Sequence, residues 1–433
     1  MDKLNILVIH SLGDPAFAPF FLKQHVFALR TEHPEHNYIY HDTALALPDF
    51  VKDADFDAII LDVTLLCARW GSPEQFRKLK ESFSFVKDSN AVKIAFPQDE
   101  YDCNEILDDW MCEWNIDLVY SVISSNWDIL YPNYHKHGKI RLGYTGYINE
   151  KLIDYVRKPF DDRTIDVGYR ARKLPPYFGH IGEIKWTIGR DVEIECKKSG
   201  LRSDIILGES GYLGGHQWLD FINDCKFTLG SNSGSSLLDP NGNIQRKVKK
   251  YLAEHPDAEF EEVESQCFKD LDRRYSFTAI SPRVMEAALL DSCQILVEGE
   301  YSGIIQPWEH YIPIKEDASD FDEVFRAMQD KGLVSKMISS CRIAILDDDN
   351  LRYRNKANTV IETISALASK KHTATNTDEV TRICSRYNNE MTNVYTNYWR
   401  RQEYRQKLVS LIDRYPSISR LVRKTYRYTK GLI

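Results

Sequence analysis

Residues 281–298 read SPRVMEAALLDSCQILVE, a helix pattern that runs directly into a strand pattern. Ser281 followed by Pro282 is a typical helix start, because the N–H that proline lacks has no partner in a first helical turn. The apolar run in Gln294–Glu298 has the length and composition of a buried strand. A helix leading straight into a buried strand is the repeating unit of a parallel α/β sheet.

The same alternation extends in both directions from this unit. In the second half, strands are predicted at 165–169, 204–207, 227–230 and 310–314, and a helix at 321–329. In the first third, strands are predicted at 5–10, 38–41, 56–61, 92–96 and 118–121, with helices at 19–30, 74–86 and 105–114. The charged stretch 149–163, interrupted by Pro159, separates the two series. The pattern predicts an α/β protein with two Rossmann-like parallel-sheet domains facing a cleft.

The length of 433 residues fits this division, because a chain of this length rarely folds around a single hydrophobic core. We predict an N-terminal domain at 1–155 and a C-terminal domain at 156–372, followed by a linker and basic helical tail at 373–433. The highly charged segment 245–268 predicts a helical insertion within about 240–275. That insertion is either a solvated helical hairpin or a moving lid over an acceptor site.

Charge is distributed unevenly along the chain. The formal net charge is -8, which argues against general nucleic-acid binding. Residues 400–433 nevertheless carry ten Lys/Arg against two acids, with apolar residues at helical spacing. This pattern suits a helix on an anionic membrane surface; the alternative is packing on an acidic face of the body or on a second subunit.

Several features indicate a cytoplasmic protein. The nine cysteines include no CxxC pair, as expected of a protein in a reducing compartment. Residues 1–14, MDKLNILVIHSLGD, have a strand pattern rather than that of a signal peptide. No run of 18 apolar residues predicts a membrane span. With the basic tail, we expect a peripheral protein on the inner face of the plasma membrane.

Cations follow the first strand of the second half, in the stretch VGYRARK at 167–173. Guanidinium forks match phosphate oxygens, and an ammonium group adds a point charge. The stretch therefore predicts phosphate binding by Arg170, Arg172 and Lys173, joined by Lys185; a solvated surface run is the alternative. The small polar loop LGSNSGSS at 229–236 offers amides and hydroxyls to a phosphate or sugar through Ser233, Gly234 and Ser235, unless it is a plain turn.

Three further candidates depend on their position. Arg283 and Glu286 share one face of the helix that begins at Pro282, where Glu286 can accept ribose hydroxyls; a surface ion pair is the alternative. Asp99 and Glu100 follow a strand and either take a proton from an acceptor hydroxyl or merely cap the next helix. His216 lies upstream of the 229–236 loop and is either a substrate contact or structural. We interpret Asp347–Asp349 as a helix end or loop rather than as a metal motif.

The stretch 281–322, together with FPQDEYD, DVGYRARKLPPYFG and FTLGSNSGSSLLDPNGNI, resembles GT-B glycosyltransferases of the group 1, GT4-like type from bacterial cell-surface polysaccharide biosynthesis. The resemblance covers roughly residues 1–370. In that superfamily a Glu on this helix holds the donor ribose, a role that falls here on Glu286. Retaining members often carry another Glu eight positions earlier; here that residue is Thr278, so the pattern is incomplete.

The resemblance implies transfer of a sugar from a nucleotide-sugar donor to a hydroxyl of a glycan or lipid-linked glycan acceptor, without a metal or other cofactor. Asp99, Glu100 or His216 would serve catalysis, and the cations would neutralise the departing phosphate. Two rival hypotheses remain. One is a nucleotide-sugar epimerase or hydrolase on the same architecture, and the other is a non-catalytic assembly subunit.

Overall fold

The computed structural model describes residues 3–371 and 377–413. The described residues fall into two compact units, the larger within Met1–Leu47 and Asp55–Thr375 and the smaller within Pro48–Ala54 and Asn376–Ile433. The larger unit contains two parallel sheets. No helix among the described residues is long and apolar enough to cross a membrane.

The first sheet has six parallel strands in the order β2-β1-β3-β4-β5-β6. Its strands are β1 Asn5–His10, β2 Asn37–Asp42, β3 Ala58–Leu61, β4 Val92–Ala95, β5 Leu118–Ser121 and β6 Lys139–Leu142. The helices of this part are α1 Phe20–Glu32, α2 Asp49–Lys52, α3 Val63–Leu66, α4 Pro73–Ser82, α5 Phe85–Asp88, α6 Asn104–Glu113, α7 Trp127–Leu130 and α8 Glu150–Ile153, of which α2 belongs to the smaller unit. All six residues of β1 are buried, as expected of a central strand covered on both faces.

The second sheet has five parallel strands in the order β13-β12-β9-β7-β8. The strands of this half are β7 Ile165–Ala171, β8 Ser203–Leu207, β9 Cys225–Gly230, β10 Ser233–Ser235, β11 Phe277–Ala279, β12 Cys293–Val297 and β13 Ile312–Ile314, with β10 and β11 forming a separate antiparallel pair. The helices are α9 Gly179–Lys198, α10 His216–Asp224, α11 Asn243–Glu254, α12 Phe260–Cys267, α13 Pro282–Leu289, α14 Phe321–Gln329 and α15 Lys331–Asp347. Short 3-10 turns occupy Cys67–Trp70, Tyr134–Lys136, Phe160–Asp162, Pro176–Phe178, Glu209–Gly211, Tyr301–Gly303 and Asp349–Leu351. The predicted fold class, two Rossmann-like parallel-sheet domains, is confirmed.

Helix α16, Tyr353–Lys371, returns from the second half of the chain to the first sheet. Its apolar residues Val360, Ile361 and Ile364 are buried in one cluster with the residues of β1 to β5. The sequence assigned these residues to a domain spanning 156–372. Their apolar contacts instead complete the core of the N-terminal sheet.

The insertion predicted at 240–275 contains α11 and α12, which share a small apolar core that includes Val248 and Val263. Backbone hydrogen bonds connect this segment to the loop after β4. The Cys103 N–H donates to the Asp239 carbonyl at 2.7 Å, and the Asp239 N–H donates to the Tyr101 carbonyl at 3.0 Å. The two sheets are therefore joined at a second place besides the chain connection between β6 and β7.

In the smaller unit, α17, Thr377–Asp413, packs near α2, with the Arg386 guanidinium 3.9 Å from the centre of the Phe50 ring. Residues 414–433, most of the predicted membrane-binding tail, lie outside the described residues. The Asp347–Asp349 run ends α15 and starts a 3-10 turn, in which the Asp348 carboxylate accepts the Asn350 N–H. The interpretation of this run as a helix-end feature is confirmed.

Candidate functional site

The candidate site lies at the carboxyl ends of the second sheet, where the strand order reverses between β7 and β9. Crevices at such reversals are the usual binding places of open parallel sheets, because the loops leave to opposite faces there. Lys185 from α9 reaches the loop after β9, and its ammonium group donates to the Ser233 hydroxyl at 3.3 Å. Arg283 from the first turn of α13 donates to the Arg170 carbonyl at 2.6 Å, near the end of β7.

The two cations influence each other. Burial, followed by repulsion from the Arg283 guanidinium, lowers the pKa of Lys185 to about 8, while Asp99 opposes the shift. Two positive groups therefore lie within electrostatic range of each other, and the Asp99 carboxylate of the first domain lies within range of Lys185. A doubly charged phosphate group is the kind of ligand that such a pair of cations stabilises.

Glu286 lies one helical turn after Arg283 and is held by an aromatic side chain. The Trp218 indole N–H donates to the Glu286 carboxylate at 2.7 Å, and the Arg283 guanidinium lies 5.0 Å from the centre of the Trp218 ring. Burial raises the pKa of Glu286 to about 6, against the opposing effects of Trp218 and Arg283. The second carboxylate oxygen has no hydrogen bond to described residues, so it is available to a ligand hydroxyl.

The small polar loop after β9 serves two purposes. Ser233 contacts Lys185, whereas the buried Ser235 hydroxyl closes a turn by accepting the Leu237 N–H at 2.9 Å. Gly234 has a φ of 140°, and a Cβ there would lie 1.9 Å from the Phe277 carbonyl oxygen. Glycine is therefore required for β10 to pair with β11, and this pairing sets the position of Ser233.

Three of the predicted cations lie in other contacts. Arg170 is buried and pairs with the Asp204 carboxylate at 2.7 Å, with its guanidinium 4.0 Å from the centre of the Phe221 ring. Arg172 and Lys173 are exposed and pair with Glu209 at 3.3 Å and Glu259 at 3.6 Å. The strand was predicted to end at residue 169, but β7 continues to Ala171, so Arg170 lies within the sheet and packs against α10.

The three residues predicted to serve catalysis, Asp99, Glu100 and His216, lie in different surroundings. Asp99 is half-buried, has a positive φ of 47°, and accepts the Tyr101 hydroxyl at 2.6 Å. Glu100 is fully buried; Tyr131 donates to it at 3.2 Å, and burial raises its pKa to about 7. His216 is exposed at the start of α10 and makes no polar contact with the described residues.

Two residues near the site were not identified from the sequence. Arg69 is buried, and its guanidinium donates to the carbonyls of Gln98 and Asp99 at 2.8 and 2.7 Å, which fixes the loop that carries Asp99. Asn232 is buried in the loop after β9, and its side-chain oxygen has no hydrogen-bond partner among the described residues. A buried amide oxygen without a partner is costly, so a ligand donor would stabilise it. Arg69 belongs to no short motif, whereas Asn232 lies within the predicted 229–236 loop but was not singled out there.

No family model matches the chain, and no curated protein matches it. Similar solved structures include an α-glucosyltransferase in complex with UDP and a 13-mer DNA containing an HMU base, with 9% identity, a TM-score of 0.47, and coverage of 84% of this chain and 99% of that chain. Another is Anabaena HepE in complex with UDP and glucose, with 10% identity, a TM-score of 0.46, and coverage of 84% of this chain and 100% of that chain. A glycosyltransferase from Rickettsia africae has 10% identity, a TM-score of 0.46, and coverage of 85% of this chain and 99% of that chain. Similarities this distant do not support a function.

One group of side chains within the described residues has metal-ligand geometry. The ligand atoms of His33, Glu35 and His36 lie within 4.8 Å of one another at the end of α1. The Leu4 N–H donates to His36 at 3.3 Å, which locates the group at the amino end of β1. It therefore lies at the amino end of the first sheet, whereas the candidate site lies at the carboxyl ends of the second sheet.

Proposed function

We propose that the protein transfers a sugar from a nucleotide-sugar donor to a hydroxyl of a glycan or lipid-linked glycan, in surface polysaccharide assembly. The observation that carries the proposal is the grouping of Lys185, Arg283 and Glu286 at the strand-order reversal of the second sheet. The two cations match a diphosphate, and a carboxylate with one free oxygen matches a ribose diol. A diphosphate and a ribose together define a nucleoside diphosphate.

The chemistry follows from the charges. The bond between the sugar and the diphosphate breaks as negative charge accumulates on the leaving oxygen, and Lys185 and Arg283 stabilise that charge without metal assistance. Asp99 is the proposed acceptor of the proton from the attacking hydroxyl, because it is half-buried and close enough to Lys185 to influence its charge. Glu100 is too deeply buried to meet an acceptor and supports the loop instead.

A donor screen and two variants test this function. We expect UDP-, GDP-, CMP- or dTDP-sugars to include one donor that raises the melting temperature and is consumed at the same rate with or without EDTA. Lys185→Ala and Arg283→Ala should each weaken binding of the corresponding nucleoside diphosphate by about tenfold, the value of one hydrogen bond to a charged group.

Matched controls are Lys198→Ala and Arg190→Ala, which remove exposed cations of α9 that pair with Glu195 and Asp191. Equal effects of the site variants and their controls would contradict the proposed site. Donor consumption without any acceptor would favour the epimerase or hydrolase, and a protein that binds no nucleotide would favour the assembly subunit.

We further propose that the basic C-terminal segment brings the enzyme to the inner membrane surface. Within the described part of this segment, Arg400, Arg401 and Lys407 are exposed on α17. Each cation near an anionic bilayer contributes about 1 kcal/mol of attraction. Removal of residues 400–433 should abolish sedimentation with vesicles rich in anionic lipid while donor binding is retained. Unchanged sedimentation would refute the membrane role.

A further inference from the structure

An open groove of about 370 Å³ lies along the edge of the first sheet, far along the chain from the nucleotide-binding residues. Strand β6 is the last strand of this sheet, so one side of its backbone pairs with no strand of residues 3–371 or 377–413. The groove is lined by Trp127, His135, Gly138, Lys139, Ile140 and Arg141. Its volume falls within the range of small-molecule binding sites, which is about 300–1,000 Å³.

The groove is basic although the protein as a whole is acidic. Between Asp128 and Glu150 the sequence contains no acid, but it contains three Lys/Arg and two His. Among the described residues no ion pair involves Lys136, Lys139 or Arg141, whereas exposed lysines such as Lys197 pair with a carboxylate one helical turn away. A positive charge without a local partner attracts anionic ligands most strongly, because no internal ion pair must be broken first.

An aromatic side chain, Trp127, lines the groove beside these cations. Trp127 is half-buried, and its indole N–H donates to the Ile123 carbonyl at 2.6 Å, which fixes the ring in place. Arg141 is similarly oriented by donation to the Thr363 hydroxyl at 3.1 Å. Indole rings pack well against the C–H faces of sugar rings, while the neighbouring cations recognise acidic substituents.

We propose that this groove binds a negatively charged oligosaccharide, such as a glycan carrying carboxylates. Strand β6 is followed in the chain by a loop in which the Thr145 hydroxyl donates to the Ile280 carbonyl at 3.0 Å, next to the start of α13. The bound glycan is the distal part of the acceptor, and this assignment rests on the proposed function.

A saccharide fits the groove better than the two other polyanions do. A bilayer presents a broad surface, which matches exposed helices rather than a concave site. A nucleic acid is usually held by an extended basic field, and this protein has a net charge of -8. Both ligands are nevertheless included as outcomes of the test.

The test measures direct binding of a hexasaccharide of galacturonic acid to the full-length chain by calorimetry, with neutral maltohexaose for comparison. The acidic hexasaccharide should bind about tenfold more tightly than the neutral one, because several exposed charge contacts of up to about 1 kcal/mol each act together. Lys139→Ala should weaken its binding by about threefold, which is within the range of an exposed charge contact. Trp127→Ala should weaken it by about threefold or more, through the loss of aromatic packing area. Lys336→Ala, which removes an exposed lysine of α15, is the matched control.

UDP binding by the same variants separates this proposal from the proposed function. Groove variants that lose the hexasaccharide but bind UDP normally support an independent site, even if no transfer activity is found. The proposal is overturned if Lys139→Ala and Lys336→Ala bind the hexasaccharide equally. It is also overturned if a thymidine hexanucleotide or anionic vesicles depend on Lys139 and Trp127 as strongly as the hexasaccharide does. Circular dichroism of Trp127→Phe and Trp127→Ala checks that the loss of binding is not a loss of fold.

Discussion

The Glu286 carboxyl and the Lys185 ammonium group have pKa values displaced toward neutrality by the same cause, burial. The pKa of Glu286 is raised to about 6, so it is ionised above that pH, and the pKa of Lys185 is lowered to about 8, so it is charged below that pH. Only between these values do both groups carry the charges that the proposed nucleoside diphosphate ligand requires. The site is thus tuned to neutral conditions by desolvation.

Nucleotide affinity should therefore depend on pH with a bell shape. We expect the dissociation constant of UDP, or of the preferred nucleotide, to be lowest between about pH 6 and 8. These limits are the pKa values of Glu286 and Lys185 in the protein without ligand. Glu286→Gln should remove the decline on the acidic side, and Lys185→Met the decline on the alkaline side. Calorimetric titrations from pH 5 to 9 measure this, and an unchanged profile in either variant would contradict the assignment.

Trp218 should determine the pH at which nucleotide affinity falls on the acidic side of the profile, called here the acidic limb. Its indole N–H stabilises the ionised form of Glu286, so Trp218→Phe keeps the ring but should raise the carboxyl pKa. The acidic limb of nucleotide binding should move upward by about one pH unit, equivalent to roughly 1.4 kcal/mol. Trp308→Phe, at an exposed tryptophan, is the control, and a limb that stays in place would exclude this positioning role.

At the residue scale, the sequence predicted the helix start that places Arg283 and Glu286. Arg283 and Glu286 follow Ser281–Pro282, so the helix boundary was predictable and the shared face followed from it. Arg170 was assigned to phosphate because the strand was predicted to end two residues too early. Whether an arginine lies within a strand or beyond it depends on pairing with neighbours, which local sequence does not encode.

At the scale of elements, the antiparallel pair of β10 and β11 depends on one glycine. Gly234→Ala would force a Cβ against the Phe277 carbonyl, so we expect a loss of about 3 kcal/mol in the free energy of unfolding. Gly200→Ala is the control, because Gly200 also has a positive φ, of 68°, but a Cβ there meets nothing within 4 Å. The control should cost about 1 kcal/mol from backbone strain alone. Equal melting temperatures for the two variants would disprove the packing argument.

Helices and strands were predictable where burial of one face or of a whole segment produces a regular pattern of apolar residues. The central strand β1 and helix α14 were predicted with their observed bounds, because buried apolar runs and a strong helical period mark them. The short strands β6, β10 and β11 were missed. Their sequences, KIRL, SGS and FTA, are too short or too polar to show a period, and they form strands because tertiary neighbours supply the pairing.

At the scale of the whole molecule, the sequence predicted two parallel sheets because their strands alternate regularly with helices. It did not predict that α16 completes the first core or that Asp239 bonds to the loop after β4. Both features join residues more than 100 positions apart. Contacts of this kind depend on how the two sheets pack, and the hydrophobic periodicity of a local sequence segment does not predict that packing.

The joint between the sheets makes stability depend on pH in an unusual direction. Asp102 is buried there, and one of its carboxylate oxygens has no partner among the described residues. Burial and the charges of Asp99 and Asp239 raise its pKa from 3.8 to about 8, although Arg69 and Lys249 act in the opposite sense. Between these values the folded state holds a proton that the unfolded chain has released. The contribution of Asp102 to stability therefore decreases as the pH rises from about 4 through 8.

Asp102→Asn should remove this dependence, because the amide cannot ionise. At pH 9 the variant should be more stable than the wild-type protein by about 1–3 kcal/mol, the cost of a buried polar group without partners. At pH 4, close to the ordinary carboxyl pKa of 3.8, the difference should nearly disappear. Urea unfolding at the two pH values measures both quantities. Asp109→Asn, at an exposed position of α6, is the matched control and should change stability little at either pH. If Asp102→Asn instead destabilised the protein most at pH 9, the carboxylate would be ionised and paired, and the sheets would be joined by a salt bridge rather than by a protonated acid.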